Sequence, residues 1–279
     1  MFLEALKAFF IGIVQGITEW LPVSSTGHMI LFNEFIKLDV SPEFFELFEV
    51  VIQFGSILAV VVLFFDKLNP FSKKKDEVMR KKTWSLWLKV LIAVIPAAVI
   101  GLLLDDWFNE HFYNYVVVAI ALILYGILFI VIERINKNKT KRIEDVYDID
   151  CITALKIGCF QVLSLIPGTS RSGSTILGAS LVGVSRSAAA EFSFFLGIPV
   201  MLGASLLKIL KFVLNGSTMT STEVMVLIVG LITAFVVSLI VIKFLMSFVR
   251  RHSFEPFGWY RIALGVIVLG YFVIKNIIF

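Results

Sequence analysis

The chain has 279 residues, of which 58% are hydrophobic and 16% charged, and its mean hydropathy is +0.93. Soluble domains carry about 25% charged residues, so the composition excludes a water-soluble globular protein and implies an integral helical membrane protein. The net charge of +4 lies in short loops between apolar runs, the pattern that orients membrane helices, which argues against nucleic acid as a partner.

In chain order, the first apolar segment, 9–35, is expected to be a short helix, a break at Pro22-x-Ser24, and a second short helix. Spanning helices are predicted near 48–65, 86–104 and 115–133, and after a second broken segment, 153–183, near 190–212, 223–248 and 259–277. Neither half of a broken segment reaches the roughly 17–25 apolar residues that a crossing needs. Both are therefore expected to be re-entrant, because irregular backbone at membrane depth survives only when protein or a water-filled cavity surrounds it. Linker 66–84 holds seven Lys or Arg and linker 133–145 holds five, whereas 105–114 holds none. The first two are thus expected in the cytoplasm and the third outside, with 213–222 and both termini outside and 249–258 inside. Lys208 and Lys211 fall near the outer face on this map and are expected to snorkel. The cysteines, Cys151 and Cys159, have no metal-ligand spacing.

A weak internal repeat accompanies these elements. Gly12-x-x-Gln15 leads to Pro22 and Ser24-Ser25-Thr26-Gly27, and Gly158-x-x-Gln161 leads to Pro167 and Ser170-Arg171-Ser172-Gly173. Glu49 precedes Gly55 as Glu191 precedes Gly197. Each half reads as one hairpin and three spans, and an odd number of spans inverts the second copy. The expectation is a single polytopic domain, 1–279, with inverted repeats at approximately 1–135 and 150–279, whose site lies where the broken helices meet.

The chemistry concentrates in the breaks. In "PGTSRSGST", 167–175, a Gly/Ser-rich turn opens a helix, and a helix N-terminus carries unpaired N–H groups and partial positive charge. Arg171 adds a planar fork suited to phosphate, and Ser170, Ser172, Ser174 and Thr175 add hydroxyls around it. A charge at membrane depth is costly and points to function. In "QGITEWLPVSSTGH", 15–28, Gln15 and Glu19 share a helix face, and Ser24, Ser25, Thr26 and His28 follow the turn. Glu19 suits either a divalent cation or general-base work, and a serine near a histidine suits nucleophilic or acid–base chemistry. Glu49 has three open roles: cation ligand, partner of Arg171, or a solvated helix end. Anion donors from one hairpin with carboxylate, hydroxyl and imidazole from the other fit phosphoryl chemistry on a lipid. A transporter or flippase of a phosphorylated polyprenyl lipid is the competing reading, since broken helices in inverted repeats are also transporter architecture.

"QGITEWLPVSSTGH", "FEVVIQFGSILAV" and "PGTSRSGST" resemble the signature stretches of the undecaprenyl-diphosphate phosphatase family, also called bacitracin-resistance proteins. The resemblance runs through the whole chain in order. It implies removal of the terminal phosphate of undecaprenyl diphosphate, recycling the lipid carrier for peptidoglycan and other cell-wall polymers. It also implies a bacterial plasma-membrane enzyme, homodimeric, open to the outer face, and assisted by Mg²⁺ or Ca²⁺. Residue by residue, the implied catalytic set is Glu19, Ser25, His28 and Arg171. The implied diphosphate-binding set is Ser24, Thr26, Ser170, Arg171, Ser172, Gly173 and Thr175, and the metal set Glu19, Gln15 and Glu49. Some members have glutamate where this chain has Gln15. A neutral amide is no base, so that role falls to Glu19, with Glu49 as helper. Whether Ser25 or His28 attacks stays open.

Overall fold

The computed structural model describes residues 1–112, 114–137 and 142–278. Tyr113 and residues 138–141 of the basic linker therefore lie outside the described residues. Helices account for nearly all regular structure, and no strand occurs among the described residues. In order they are α1 Phe2–Thr18, α2 Ser25–Phe35, α3 Pro42–Leu63, the single turn α4 Phe65–Leu68, α5 Glu77–Phe112, α6 Tyr115–Asn136, α7 Cys151–Val162, α8 Arg171–Leu181, α9 Arg186–Leu214, α10 Ser221–Val249 and α11 Glu255–Ile278.

Six of these are long and apolar enough to cross a bilayer, and they are the six that hydropathy predicts: α3, α5 over Glu77–Leu104, α6, α9, α10 and α11. The chain is a multi-pass membrane protein. On α5, Leu88, Leu91, Ile95, Val99 and Leu102 are exposed, an apolar stripe at helical spacing that suits lipid rather than water.

Most of the helices run past the predicted ends, α3 stopping at Leu63 instead of 65, because hydropathy registers only their apolar middles, whereas caps set their true termini. Pro42 follows Ser41 to open α3. Ser185 accepts from Ala188 N–H to open α9, and Thr220 and Glu223 form a capping box on α10. The stretch expected as an outer loop, 105–114, is mostly helical: no breaker intervenes until Asn114, which caps α6 by accepting from Val117 N–H.

Glycines let the helices approach. A Cβ on Gly12 would stand 2.8 Å from the Gly230 carbonyl oxygen, so α1 packs backbone to backbone on α10. Gly158 does the same on α7 against α5, 2.3 Å from the Ala93 carbonyl. Gly126 and Gly258 face each other reciprocally, each would-be Cβ 2.7 Å from the other's carbonyl, where α6 crosses α11. Small residues at crossings are how membrane helices gain van der Waals contact when lipid offers no hydrophobic driving force. Helices α3 and α9 run antiparallel and are tied at one end by Lys208–Glu46 at 2.6 Å, while at the other Lys67 of α4, the turn that follows α3, pairs with Glu191 of α9 at 2.7 Å. Lys208, expected to snorkel, is thereby partnered. The largest cluster of buried side chains among the described residues includes Trp20 of the first break, which meets Phe194 of α9 edge-on with centroids 5.2 Å apart.

Candidate active site between two broken helices

Both breaks are built the same way. The first separates α1 from α2 and the second separates α7 from α8. Each following helix is capped by a serine whose hydroxyl oxygen accepts from the glycine N–H three residues on: Ser24 from Gly27 at 3.3 Å and Ser170 from Gly173 at 3.1 Å. Among the described residues, these two serines are the non-glycine positions with positive φ, 71° and 73°. Such backbone costs about 1–3 kcal/mol per residue and gathers at functional sites. The positive-φ serine turns the chain sharply between the two helices of each segment, and at the second break this sets the start of α8, Arg171 and Ser172, against Glu19.

Glu19 stands at the centre, 6% exposed. Its Oε1 accepts from Arg171 Nη2 at 3.0 Å. Its Oε2 accepts from Gln15 Nε2 at 3.0 Å and from Ser25 Oγ at 3.4 Å. The turn at 170–175 locks against this group: Ser172 donates to the Glu19 carbonyl at 3.1 Å, and Thr175 bonds Ser193 of α9, hydroxyl to hydroxyl, at 2.7 Å. Arg171 also donates from Nη1 to the Ser193 carbonyl at 2.6 Å and lies over the Trp20 ring, 5.7 Å from its centroid. Its Nε is buried without a partner, which leaves one charged donor available. Residues 152 positions apart in sequence therefore form one ion pair at the junction of the breaks.

His28 is placed differently from the serine–histidine pair that the sequence invites. Its Nδ1 lies 2.8 Å from the Ser24 carbonyl. A carbonyl only accepts, so Nδ1 carries the proton, and in the neutral ring Nε2 accepts from the Tyr260 hydroxyl at 2.6 Å. The two rings stack 9° from parallel. The group that touches Ser25 is Glu19. Thr26 is half-buried on the first turn of α2. Ser24 and Ser170 hold helix caps, so their hydroxyls are engaged within the scaffold. Glu49 is not bonded to Glu19 or Arg171. It lies near Glu46 and Lys208, because its register on α3 places it beside the end of α9 rather than beside the breaks.

Sequence reasoning missed Arg261. It is fully buried in α11 and donates to the Pro22 carbonyl at 3.1 Å, the Gly168 carbonyl at 2.9 Å and the Thr169 carbonyl at 3.0 Å. One guanidinium thus staples the two breaks together, with the Tyr125 ring 5.5 Å away. Gly173 makes room for it, since a Cβ there would lie 3.0 Å from Arg261 Nη1. The available signal was a charge inside an apolar run. Tyr260, its neighbour, and Ser193 carried no such signal.

Fold and site together define a polytopic membrane protein with a buried Glu19–Arg171 ion pair where two broken helices meet. The chain belongs to the bacitracin resistance protein BacA family, whose model matches residues 8–267. It is 58% identical over 273 residues to an undecaprenyl-diphosphatase of Enterococcus faecalis, covering 98% of this chain and 99% of that protein. It is also 57% identical over 272 residues to one from Limosilactobacillus fermentum, covering 98% and 99%. With one from Streptococcus thermophilus it shares 55% over 275 residues, covering 99% and 96%.

Proposed function

We propose that this protein is an integral membrane hydrolase that converts undecaprenyl diphosphate to undecaprenyl phosphate and inorganic phosphate. The observation that carries the mechanism is the chain of contacts Ser25–Glu19–Arg171. Ser25 Oγ attacks the terminal phosphorus, and Glu19 Oε2, already its hydrogen-bond partner, takes the proton. The bond from that phosphorus to the bridging oxygen breaks, and undecaprenyl phosphate leaves with the bridging oxygen. Water then attacks the phosphorus of the phosphoserine, the bond to Ser25 Oγ breaks, Glu19 returns its proton to that oxygen, and the water's protons leave with the released phosphate. Arg171 exchanges part of its hold on Glu19 for the phosphate oxygens, where its charge neutralises the transition state. His28, held by Ser24 and Tyr260, lines the same end of α2.

A divalent cation, Mg²⁺ or Ca²⁺, fits this site only in part. Among the described residues no three His, Cys, Asp or Glu side chains are placed to hold one. Glu19, the Gln15 amide oxygen and Ser25 are the donors at hand. That sparse set suits an ion that arrives on diphosphate oxygens, as Mg²⁺ commonly does. It would supply charge neutralisation there.

The finer architecture follows the same reading. The two helix–break–helix segments enter the bilayer as re-entrant hairpins. At 17 residues, α1 is about 26 Å long, short of the ~30 Å hydrocarbon core. The halves form an inverted repeat, supported by the matched serine caps and by the matched glycine packing of α1 on α10 and α7 on α5. An opening of the site to the outer face of the bacterial inner membrane rests on the family resemblance, and the basic loops bear only on which linkers face the cytoplasm. Association as a homodimer rests on the family resemblance, and cross-linking in membranes tests it.

The deciding experiment is phosphate release from undecaprenyl or farnesyl diphosphate by purified protein, wild type against Arg171→Ala and Ser25→Ala, with Mg²⁺, Ca²⁺ or EDTA. Release that both substitutions abolish supports the reading. No release from folded wild type with any ion refutes it and favours transport.

A further inference from the structure

The guanidinium of Arg171 is held on three sides, by Glu19, by the Ser193 carbonyl and by the Trp20 ring. The fourth side is the bare backbone of α9 at Gly197, one helical turn beyond Ser193. A Cβ at 197 would stand 2.9 Å from both terminal nitrogens of Arg171 and 3.0 Å from Cζ. Its neighbours in sequence, Phe194, Phe195, Leu196 and Ile198, are all large. Gly197 is the gap in that run, and the gap is filled by the arginine.

We infer that Gly197 is a positioning residue for Arg171: its missing side chain forms the seat that aims the guanidinium at the diphosphate. The inference rests on the proposed role of Arg171. The clash that a methyl group creates falls on the far end of a flexible side chain, so the arginine moves and the helix does not. The fold tolerates that movement, but the chemistry does not. A planar fork recognises phosphate through direction as well as charge, and a displacement of about 1 Å can cost on the order of 10²-fold in rate. Gly197 acts through Arg171 and touches no substrate, so its effect depends on which side chain stands at 171.

The test compares wild type, Gly197→Ala, Arg171→Lys and the double variant. Each is assayed for kcat/KM on farnesyl diphosphate and for the thermal stabilisation produced by inorganic pyrophosphate, which needs no turnover. Gly197→Ala is expected to unfold near the wild-type temperature, to lose about 10²-fold in kcat/KM and to lose the pyrophosphate response. In the Arg171→Lys background the smaller ammonium clears the methyl group, and alanine at 197 adds no further loss. A Gly197→Ala protein with wild-type turnover and pyrophosphate response overturns the inference. So does an equal loss in both backgrounds, or failure to fold in both, because each marks a role independent of the arginine. If Arg171→Lys itself keeps the full response, the functional reading of Arg171 fails and takes this inference with it. If Arg171→Lys loses the response while Gly197→Ala keeps it, the inference alone fails.

Discussion

Replacing Arg261 with methionine removes the guanidinium while keeping most of its buried stem. Three carbonyls then lose their donor at once: Pro22 on one break, Gly168 and Thr169 on the other. Hydrogen bonds to a charged group contribute about 1.5–3 kcal/mol each, but the stabilisation is offset by burying the charge. Leaving buried carbonyls without a donor costs about 1–3 kcal/mol each, partly offset because the charge is no longer buried, for a net loss of about 3–5 kcal/mol. At this chain length that is a fall of roughly 10 °C in thermal midpoint. Arg261→Lys keeps the charge but not the fork, so it reaches one break and not both, and its midpoint falls between the two. Tryptophan fluorescence during heating of the detergent-solubilised proteins measures this, since Trp20 lies in the first break. Turnover, assayed below the midpoint, falls in both variants because Glu19 and Arg171 sit on separate breaks. A methionine variant as stable as wild type would falsify the stapling role.

Other substitutions probe other links. Tyr260→Phe keeps the ring stacked on His28 but removes the donor to Nε2, and a loss of about 3–10-fold in kcat is expected. An unchanged rate would mean that the hydrogen bond does not matter to turnover. Gly158→Val drives a side chain into the rigid Ala93 carbonyl, so α5 and α7 must separate. The midpoint is expected to fall by the equivalent of about 1–3 kcal/mol, and an unshifted melt refutes the close crossing. Asp150 caps α7 by accepting from Thr153 N–H at 2.6 Å, which holds its carboxyl below the usual aspartate range. A depressed folded-state pKa gives stability that is present above the unfolded value and lost as pH falls through the folded one. Asp150→Ala should therefore lower the midpoint at neutral pH, by about 0.5–2 kcal/mol, and make no difference in acid. A constant deficit across pH would show that the carboxylate is not the cause.

Much of this architecture was legible because membrane insertion is a one-dimensional constraint. Long apolar runs, Pro and Ser punctuation and loop charge fix the spans and the two breaks without knowledge of any neighbour. The pairing of Glu19 with Arg171 was only half legible: both residues stand out as charges at depth, but Glu49 stands out equally. Nothing in the chain says which carboxylate the arginine meets. That depends on the rotation of α3, which packing decides. Arg261 sat in plain view inside an apolar run, yet its partners are three backbone carbonyls, and carbonyls have no sequence signature. Tyr260 and Gly197 acquire meaning only once α11 and α9 are docked.

The position of Arg261 after both breaks in the sequence has a consequence for biogenesis. Chains are made from the N-terminus, so both breaks reach the membrane before the residue that joins them. Until α11 is released from the ribosome and inserted, the carbonyls of Pro22, Gly168 and Thr169 await their donor, and the two breaks are joined only by their own direct contacts, Arg171 and Ser172 to Glu19. Helix α11 works as a keystone. A nascent chain that stalls before it leaves three backbone carbonyls of the breaks without the donor that the finished protein gives them.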